Sequence, residues 1–138
     1  MPLRLSNQQS EVPVRVRPLL RRLKSALPLL PRPLPVDFPA STIQFILVDR
    51  ATMARVHGDF LGDPTETDVI TFPYGEILVC PAVARDRAAQ YGLEVEQEVL
   101  LYALHGLLHL TGYDDTTPAL AKEMAAAQER LLRRVLAS

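Results

Sequence analysis

Two histidines four residues apart, His105 and His109, carry the clearest chemical signal in this 138-residue chain. They sit in the stretch Leu100 to Asp115, LLYALHGLLHLTGYDD. On an α-helix, positions i and i+4 lie one above the other on the same face. Two imidazoles stacked in this way can hold a transition metal at Zn–N distances of about 2.0–2.1 Å. Gly112 follows the last apolar turn and suits the left-handed position just past a helix end, so the chain can fold back there. That return brings Asp114 or Asp115 towards the histidines as a third ligand. Two imidazoles and a carboxylate leave at least one coordination position open, as a catalytic metal site requires.

The alternative is a pair of core histidines hydrogen-bonded to backbone or carboxylates, since HxxxH is a short pattern. The flanking Val99, Leu100, Leu101, Leu104, Leu107, Leu108 and Leu110 mark a buried helix, and a buried imidazole left without a partner costs about 1–3 kcal/mol. A metal with outer hydrogen-bond acceptors would satisfy both rings. The motif is not the HExxH of zinc peptidases, because Gly106 stands where the catalytic glutamate would be, and peptidase chemistry of that kind loses its general base.

The elements that must position these residues read as an α+β fold, a small mixed β-sheet covered by helices, with the metal ligands on a central helix and the turn after it. Leu3-Arg4-Leu5 alternates and can begin an edge strand. Apolar residues at 19, 20, 23 and 27 have helical spacing, with Pro18 allowed in the first turn. Pro28, Pro31, Pro33 and Pro35 then form a semi-rigid surface connector. Thr42–Val48 is a β-branched strand, followed by a short helix from Asp49 or Arg50 with Met53, Val56 and Phe60 facing inward. Gly62-Asp63-Pro64 is turn chemistry. Asp68–Phe72 and Ile77–Cys80 are two strands of an antiparallel hairpin across a tight connection. A helix runs from Pro81 to about Tyr91, where Gly92 ends it. The central helix spans Glu94–Leu110, with Glu94, Glu96 and Glu98 complementing its dipole. Thr117 and Pro118 open a last helix whose Leu120, Met124, Ala127, Leu131 and Val135 pack on the core. The whole, residues 1–138, is expected to form a single domain.

Composition narrows the class. A hydrophobic fraction of 48% with 22% charged residues is ordinary for a compact protein. Met1 to Gln9 lacks the apolar run of a signal peptide, and no stretch approaches the roughly 20 apolar residues of a membrane span. The lone Cys80 excludes an internal disulfide and suits a reducing cytoplasm; it reads as a core thiol, with a metal-binding role as the alternative. The net charge of −1 argues against wholesale coating of nucleic acid. Residues 1–37 are locally basic, carrying Arg4, Arg15, Arg17, Arg21, Arg22, Lys24 and Arg32 against Glu11 and Asp37. This excess serves either as a phosphate-contacting surface or as a solvated helix face.

The motif HGLLHLTGYDD resembles the HGxLHLxGYDH motif of the YbeY family of endoribonucleases, which mature ribosomal RNA. Thr67-Asp68-Val69-Ile70-Thr71-Phe72-Pro73 is similar to the family's TDVLSFP segment, and Gly75-Glu76-Ile77 to its GDI element, in the family's order. The resemblance runs from about Thr42 to Leu132. It implies a zinc-dependent endoribonuclease hydrolysing single-stranded RNA, with one Zn2+ per chain and His105 and His109 as the first two ligands. It further implies a cytoplasmic role in ribosomal RNA processing and ribosome quality control. The expected partners are the ribosomal RNA precursor and the ribosomal small subunit, with neither DNA nor membrane.

Two departures stand within the resemblance. Asp115 occupies the place of the family's third histidine ligand; an aspartate can ligate zinc through oxygen, giving a harder and more anionic set. Leu61 stands where the family carries an arginine implicated in activity, which makes Arg55 and His57 the candidates to join His105 and His109 in catalysis. Asp114 is either an acceptor for a ligand imidazole or a turn cap; Thr67 and Asp68 either shape the cleft or cap a turn. Two other functions stay open: a different metallohydrolase, which predicts a compact pocket for a small substrate, and a ribosome-associated RNA-binding protein with a structural metal and no turnover.

Overall fold

The computed structural model describes all residues except Pro64 and Glu66. A four-stranded sheet in the order β1-β2-β4-β3 is built from β1 (Leu3–Gln8), β2 (Ile43–Val48), β3 (Val69–Phe72) and β4 (Glu76–Val79). β1 and β4 both run parallel to β2, in register Leu5 to Phe45 and Phe45 to Ile77, while β3 runs antiparallel to β4 with Ile70 opposite Leu78. The sheet is therefore mixed. The β3–β4 hairpin closes through Gly75, whose N–H donates to the Phe72 carbonyl at 2.9 Å.

Side chains alternate across the strands, and each face is buried by different helices. Ile43, Phe45, Leu47, Ile77 and Val79 join Leu19 and Leu23 of α1 (Val16–Ala26), the apolar positions of α4 (Val95–Leu110) and Met124, Ala127 and Leu131 of α5 (Pro118–Ala137) in one core. Val48, Ile70, Leu78 and Cys80 pack on the other face with Met53 of α2 (Arg50–Leu61) and Ala82 of α3 (Pro81–Tyr91). Helix α4 is the hub, touching α1, α3, α5, β3 and β4. Nine of its sixteen residues are buried, so it is apolar almost all round, as a helix enclosed by neighbours must be. Cys80 is a buried free thiol whose burial pushes its pKa up, and it lies in the core as expected.

The expected α+β architecture and its strands and helices are present within a residue or two of the bounds read from the sequence. Asp49 caps α2 by accepting from Thr52 N–H at 2.7 Å, and Thr117 caps α5 by accepting from Leu120 N–H at 3.2 Å. Two side chains read as inward-facing point to solvent: Phe60 is 67% and Leu120 39% exposed. Both lie at helix ends, where the helix has run beyond the surface it covers. The connector after α1 holds one short 3₁₀ turn, Leu27–Leu29, and Leu29, Leu30, Leu34 and Phe38 pack against the core. Of the Gly62-Asp63-Pro64 turn, Gly62 caps α2 in the left-handed region at φ 75°; Pro64 lies outside the described residues. Among the described residues, no helix is long and apolar enough to cross a membrane.

Candidate metal centre

The C-terminus of α4 builds the site. The N–H of Tyr113 reaches back to the Leu108 carbonyl and that of Gly112 to the His109 carbonyl, each at 3.1 Å. This pair of bonds, with Gly112 at φ 100°, is the Schellman closure that a glycine at this position makes possible. It turns the Tyr113 carbonyl towards His109, whose Nδ1 lies 3.1 Å away. A carbonyl only accepts, so Nδ1–H is the protonated nitrogen and Nε2 presents its lone pair. His105 is set in the same way by a different partner, with Nδ1 donating to Gln128 Oε1 of α5 at 2.6 Å. Fixing ring orientation through the remote nitrogen is how proteins prepare imidazoles for a metal.

The two Nε2 atoms consequently face each other at 3.1 Å. With both protons on Nδ1, the two Nε2 lone pairs point into one shared space. Asp115 Oδ2 completes the triangle, 3.6 Å from His105 Nε2 and 3.7 Å from His109 Nε2. Two bonds of about 2.0–2.1 Å at a tetrahedral angle separate their nitrogens by about 3.3 Å, so the observed spacings match a divalent ion of zinc's size to within a few tenths of an ångström. His105, His109 and Asp115 form a group that can hold a metal ion. The rings are only part-buried, their side chains 25% and 27% exposed, so a ligand can reach the fourth position.

Gly106 has a steric role here. A Cβ at this position would lie 2.6 Å from Ile77 Cγ2 and 3.1 Å from Thr71 Oγ1, so α4 rests directly on β3 and β4. The space a peptidase glutamate would need is filled by the sheet. Asp114 caps the turn: its carboxylate accepts from Asp115 N–H at 2.7 Å and Thr116 Oγ1–H at 3.0 Å. Those bonds hold Asp115, the next residue, in place. Asp68 likewise accepts from Val69 N–H and pairs with Arg87 at 2.9 Å.

The three donor side chains open into a cleft of 1270 Å³ along the exposed edge of β3, walled by Asp68 to Tyr74, by Phe60 and Leu61 from the end of α2, and by Phe38 and its neighbours from the connector. None of the described residues lining it is arginine or lysine. His105, His109 and Asp115 thus come together as expected, and Leu61 also lines the cleft. Arg55 and His57 do not: Arg55 is exposed on α2, and His57 Nδ1 bonds the Thr65 carbonyl at 2.9 Å. Nor do the basic residues of the N-terminal region line it; Arg15 pairs with Glu96, and Arg32 pairs with Glu123 while lying 3.8 Å over the Tyr113 ring. Gln128 and the Tyr113 carbonyl, which set the two imidazoles, were not singled out by sequence. Gln128 stands 23 residues from its partner in an unremarkable alanine-rich helix, and a carbonyl has no residue type to read.

Among similar proteins, Endoribonuclease YbeY of Renibacterium salmoninarum is 36% identical over 115 residues, 71% of this chain and 73% of that protein. Endoribonuclease YbeY of Nocardia farcinica is 38% identical over 113 residues, 68% of this chain and 61% of its own length. The chain therefore matches roughly two-thirds of these relatives' length. A Thermotoga maritima protein solved in solution superposes with a TM-score of 0.68 at 26% identity, over 96% of this chain and 88% of that one. The family model for Endoribonuclease YbeY matches residues 4–136, from β1 to the last turn of α5 and so across every element that positions the three donors; the chain belongs to the endoribonuclease YbeY family.

Proposed function

We propose that this chain, acting as one domain over residues 1–138, is a zinc-dependent endoribonuclease that hydrolyses single-stranded RNA. We assign it to ribosomal RNA processing and ribosome quality control in the cytoplasm, on precursor ribosomal RNA with the ribosomal small subunit as partner. The observation that supports this best is the convergence of His105 Nε2, His109 Nε2 and Asp115 Oδ2 within 4.8 Å of one another in an open cleft of 1270 Å³. Pockets for small ligands run to about 300–1,000 Å³; this cleft is larger and follows a strand edge, as a polymer requires. A small-substrate metallohydrolase would instead be served by a compact pocket.

His105 and His109 would hold one zinc ion, with Asp115 as third ligand. A zinc ion held there would supply Lewis acidity for phosphodiester hydrolysis. The chain's own residues do the rest. Gln128 and the Tyr113 carbonyl hold the protons on Nδ1 of each ring, keeping both Nε2 lone pairs on the cleft side. Asp114 fixes the backbone that presents Asp115. Gly106 lets α4 lie against β3, so the donors open beside the strand along which RNA would run. Arg55 and His57, outside the cleft lining, receive no role in this scheme.

Elemental analysis of the purified protein, with His109→Ala and Asp115→Ala alongside, tests the proposal together with cleavage of a single-stranded RNA oligomer. Near-stoichiometric zinc, lost in His109→Ala and reduced in Asp115→Ala, with cleavage tracking zinc content, is the expected result. Stoichiometric zinc without cleavage would leave an RNA-binding protein with a structural metal. No zinc after reconstitution would overturn the hydrolase.

A further inference from the structure

Most of the residues lining the cleft have no part in holding a metal. Phe60 and Phe72 meet edge to face with ring centroids 5.4 Å apart and planes at 78°. Phe72 and Tyr74 stack with centroids also 5.4 Å apart and planes at 20°. Phe60 and Tyr74 are 67% and 53% exposed, and Leu61 beside them 62%. All line the same cleft as His105, His109 and Asp115. Large apolar side chains grouped on a surface mark a binding site more often than an accident of folding. The chain has only four phenylalanines and four tyrosines, so three of eight aromatic rings meet in one cluster, with Phe60 and Tyr74 exposed and Phe72 partly buried against the core.

Charge says what the cluster would take. The described lining contains Asp37, Asp68 and Asp115 and neither arginine nor lysine, so the cleft walls offer phosphates no cation of their own. A nucleic-acid strand lying there must be held through its bases. Base-on-aromatic stacking tolerates any sequence and needs no charge. The cluster is also placed to matter for the reaction: Phe72 follows Thr71, whose hydroxyl abuts α4 at Gly106, the residue after His105.

We infer that Phe60, Phe72 and Tyr74 form a nucleobase-stacking platform that seats unpaired bases beside the metal-holding triad. The inference rests on the single-strand RNA reading above and adds to it a basis for selectivity. A base-paired strand keeps its faces stacked on its neighbours and cannot use the platform, so these rings would favour unpaired RNA without reading its sequence. These are positioning residues.

The test is binding, read without turnover. Fluorescence anisotropy of a labelled single-stranded RNA decamer, and of the same backbone with its bases removed, is measured on the full chain freed of metal by a chelator and again on the zinc-loaded chain. Phe60→Ala and Tyr74→Ala are expected to weaken binding of the base-bearing decamer roughly 5- to 100-fold and to leave the base-free backbone unchanged. Tyr74→Trp, which keeps a stacking face, is expected to restore affinity. Both positions are exposed, so truncation leaves the core intact, and melting temperatures check this. Equal RNA affinity in parent and variants would overturn the platform while leaving the nuclease standing. If instead the variants changed only self-association in sedimentation, the rings would belong to a protein contact and the inference would fail. A parent chain that neither binds nor cleaves RNA would remove the nuclease reading, and the platform with it.

Discussion

Gln128→Leu is the sharpest probe of how this site is held together. Leucine matches glutamine closely in volume but cannot accept the proton that His105 Nδ1 donates across 2.6 Å. Net loss of a neutral hydrogen bond costs about 0.5–1.5 kcal/mol, rising to about 1–3 kcal/mol when a donor is left buried without a partner. The His105 side chain is only 25% exposed, so the cost falls towards the upper range. It falls on metal binding in particular, because without Gln128 the ring is free to move its proton to Nε2 or to rotate out of line. Groups in this outer role are worth about 10–100-fold in metal affinity, which is about 1.4–2.8 kcal/mol at 25 °C. The two estimates overlap. The assay is competition for zinc against a chromophoric chelator at fixed pH, comparing parent, Gln128→Leu and Gln128→Glu. The leucine variant is expected to bind zinc 10–100-fold more weakly. The glutamate variant, which keeps an acceptor and adds negative charge, should match or exceed the parent. Melting of the metal-free proteins separates a lost ligand orientation from a damaged fold. A leucine variant holding zinc within threefold of the parent would refute the reasoning, since the 2.6 Å contact would then be incidental to the site.

Three further outcomes are expected. Gly106→Ala gains about 1 kcal/mol of helix propensity but drives a methyl to 2.6 Å from a fully buried Ile77, an overpacking cost of about 1–3 kcal/mol; calorimetry should show a lower Tm, and a higher one would mean that α4 does not rest on the sheet as described. Zinc at 100-fold over its Kd should raise stability by about 2.7 kcal/mol, roughly 10 °C in Tm for a chain of this size, with the shift removed by a chelator and absent in His109→Ala; an equal shift in that variant would place the metal elsewhere. Asp49→Ala should lower Tm by a few degrees through loss of the α2 cap. Bonds from Thr52 hold the Asp49 carboxylate below its usual pKa, so its contribution is present above the ordinary carboxylate range and lost as pH falls through the lowered value; acid melting curves of parent and variant should converge, and a gap that widens with acid would contradict the cap.

What the sequence made legible follows the range over which each interaction acts. The helix carrying His105 and His109, the stop at Gly112 and the return to Asp115 are all set within one turn of their neighbours, and each could be read from local chemistry. The choice between Asp114 and Asp115 was equally local, yet it depended on which carboxylate the backbone N–H groups would claim, and two acidic residues side by side do not reveal that. Phe60 has correct helical spacing with Met53 and Val56. Its exposure depends on where α2 overruns the sheet, which no periodicity contains. Gln128 belongs to a helix whose rotation is decided by Met124, Ala127 and Leu131 packing on the core; its approach to His105 is a consequence of that packing. The parallel pairing of β1 and β4 with β2 is likewise a product of the crossovers rather than of any strand's own pattern.

The two departures from the family's motif meet in one place. Leu61 and Asp115 both line the cleft, and an apolar side chain at one place and a carboxylate at the other each make it less attractive to phosphate than the arginine and histidine that the resemblance implies there. Arg87 offsets Asp68 through their ion pair, but Asp115 faces the imidazoles without a basic side chain among the described residues of the lining. A cleft altered in this direction has two consequences for an enzyme acting on RNA. With Asp115 as third ligand, its donor set would carry an anionic oxygen, which would strengthen attraction for a divalent cation while tempering that cation's pull on substrate. Its grip on the strand must come from something other than charge. The exposed Phe60, Leu61 and Tyr74 supply apolar surface in that cleft, which on the reading proposed above would hold a strand through its bases rather than its phosphates.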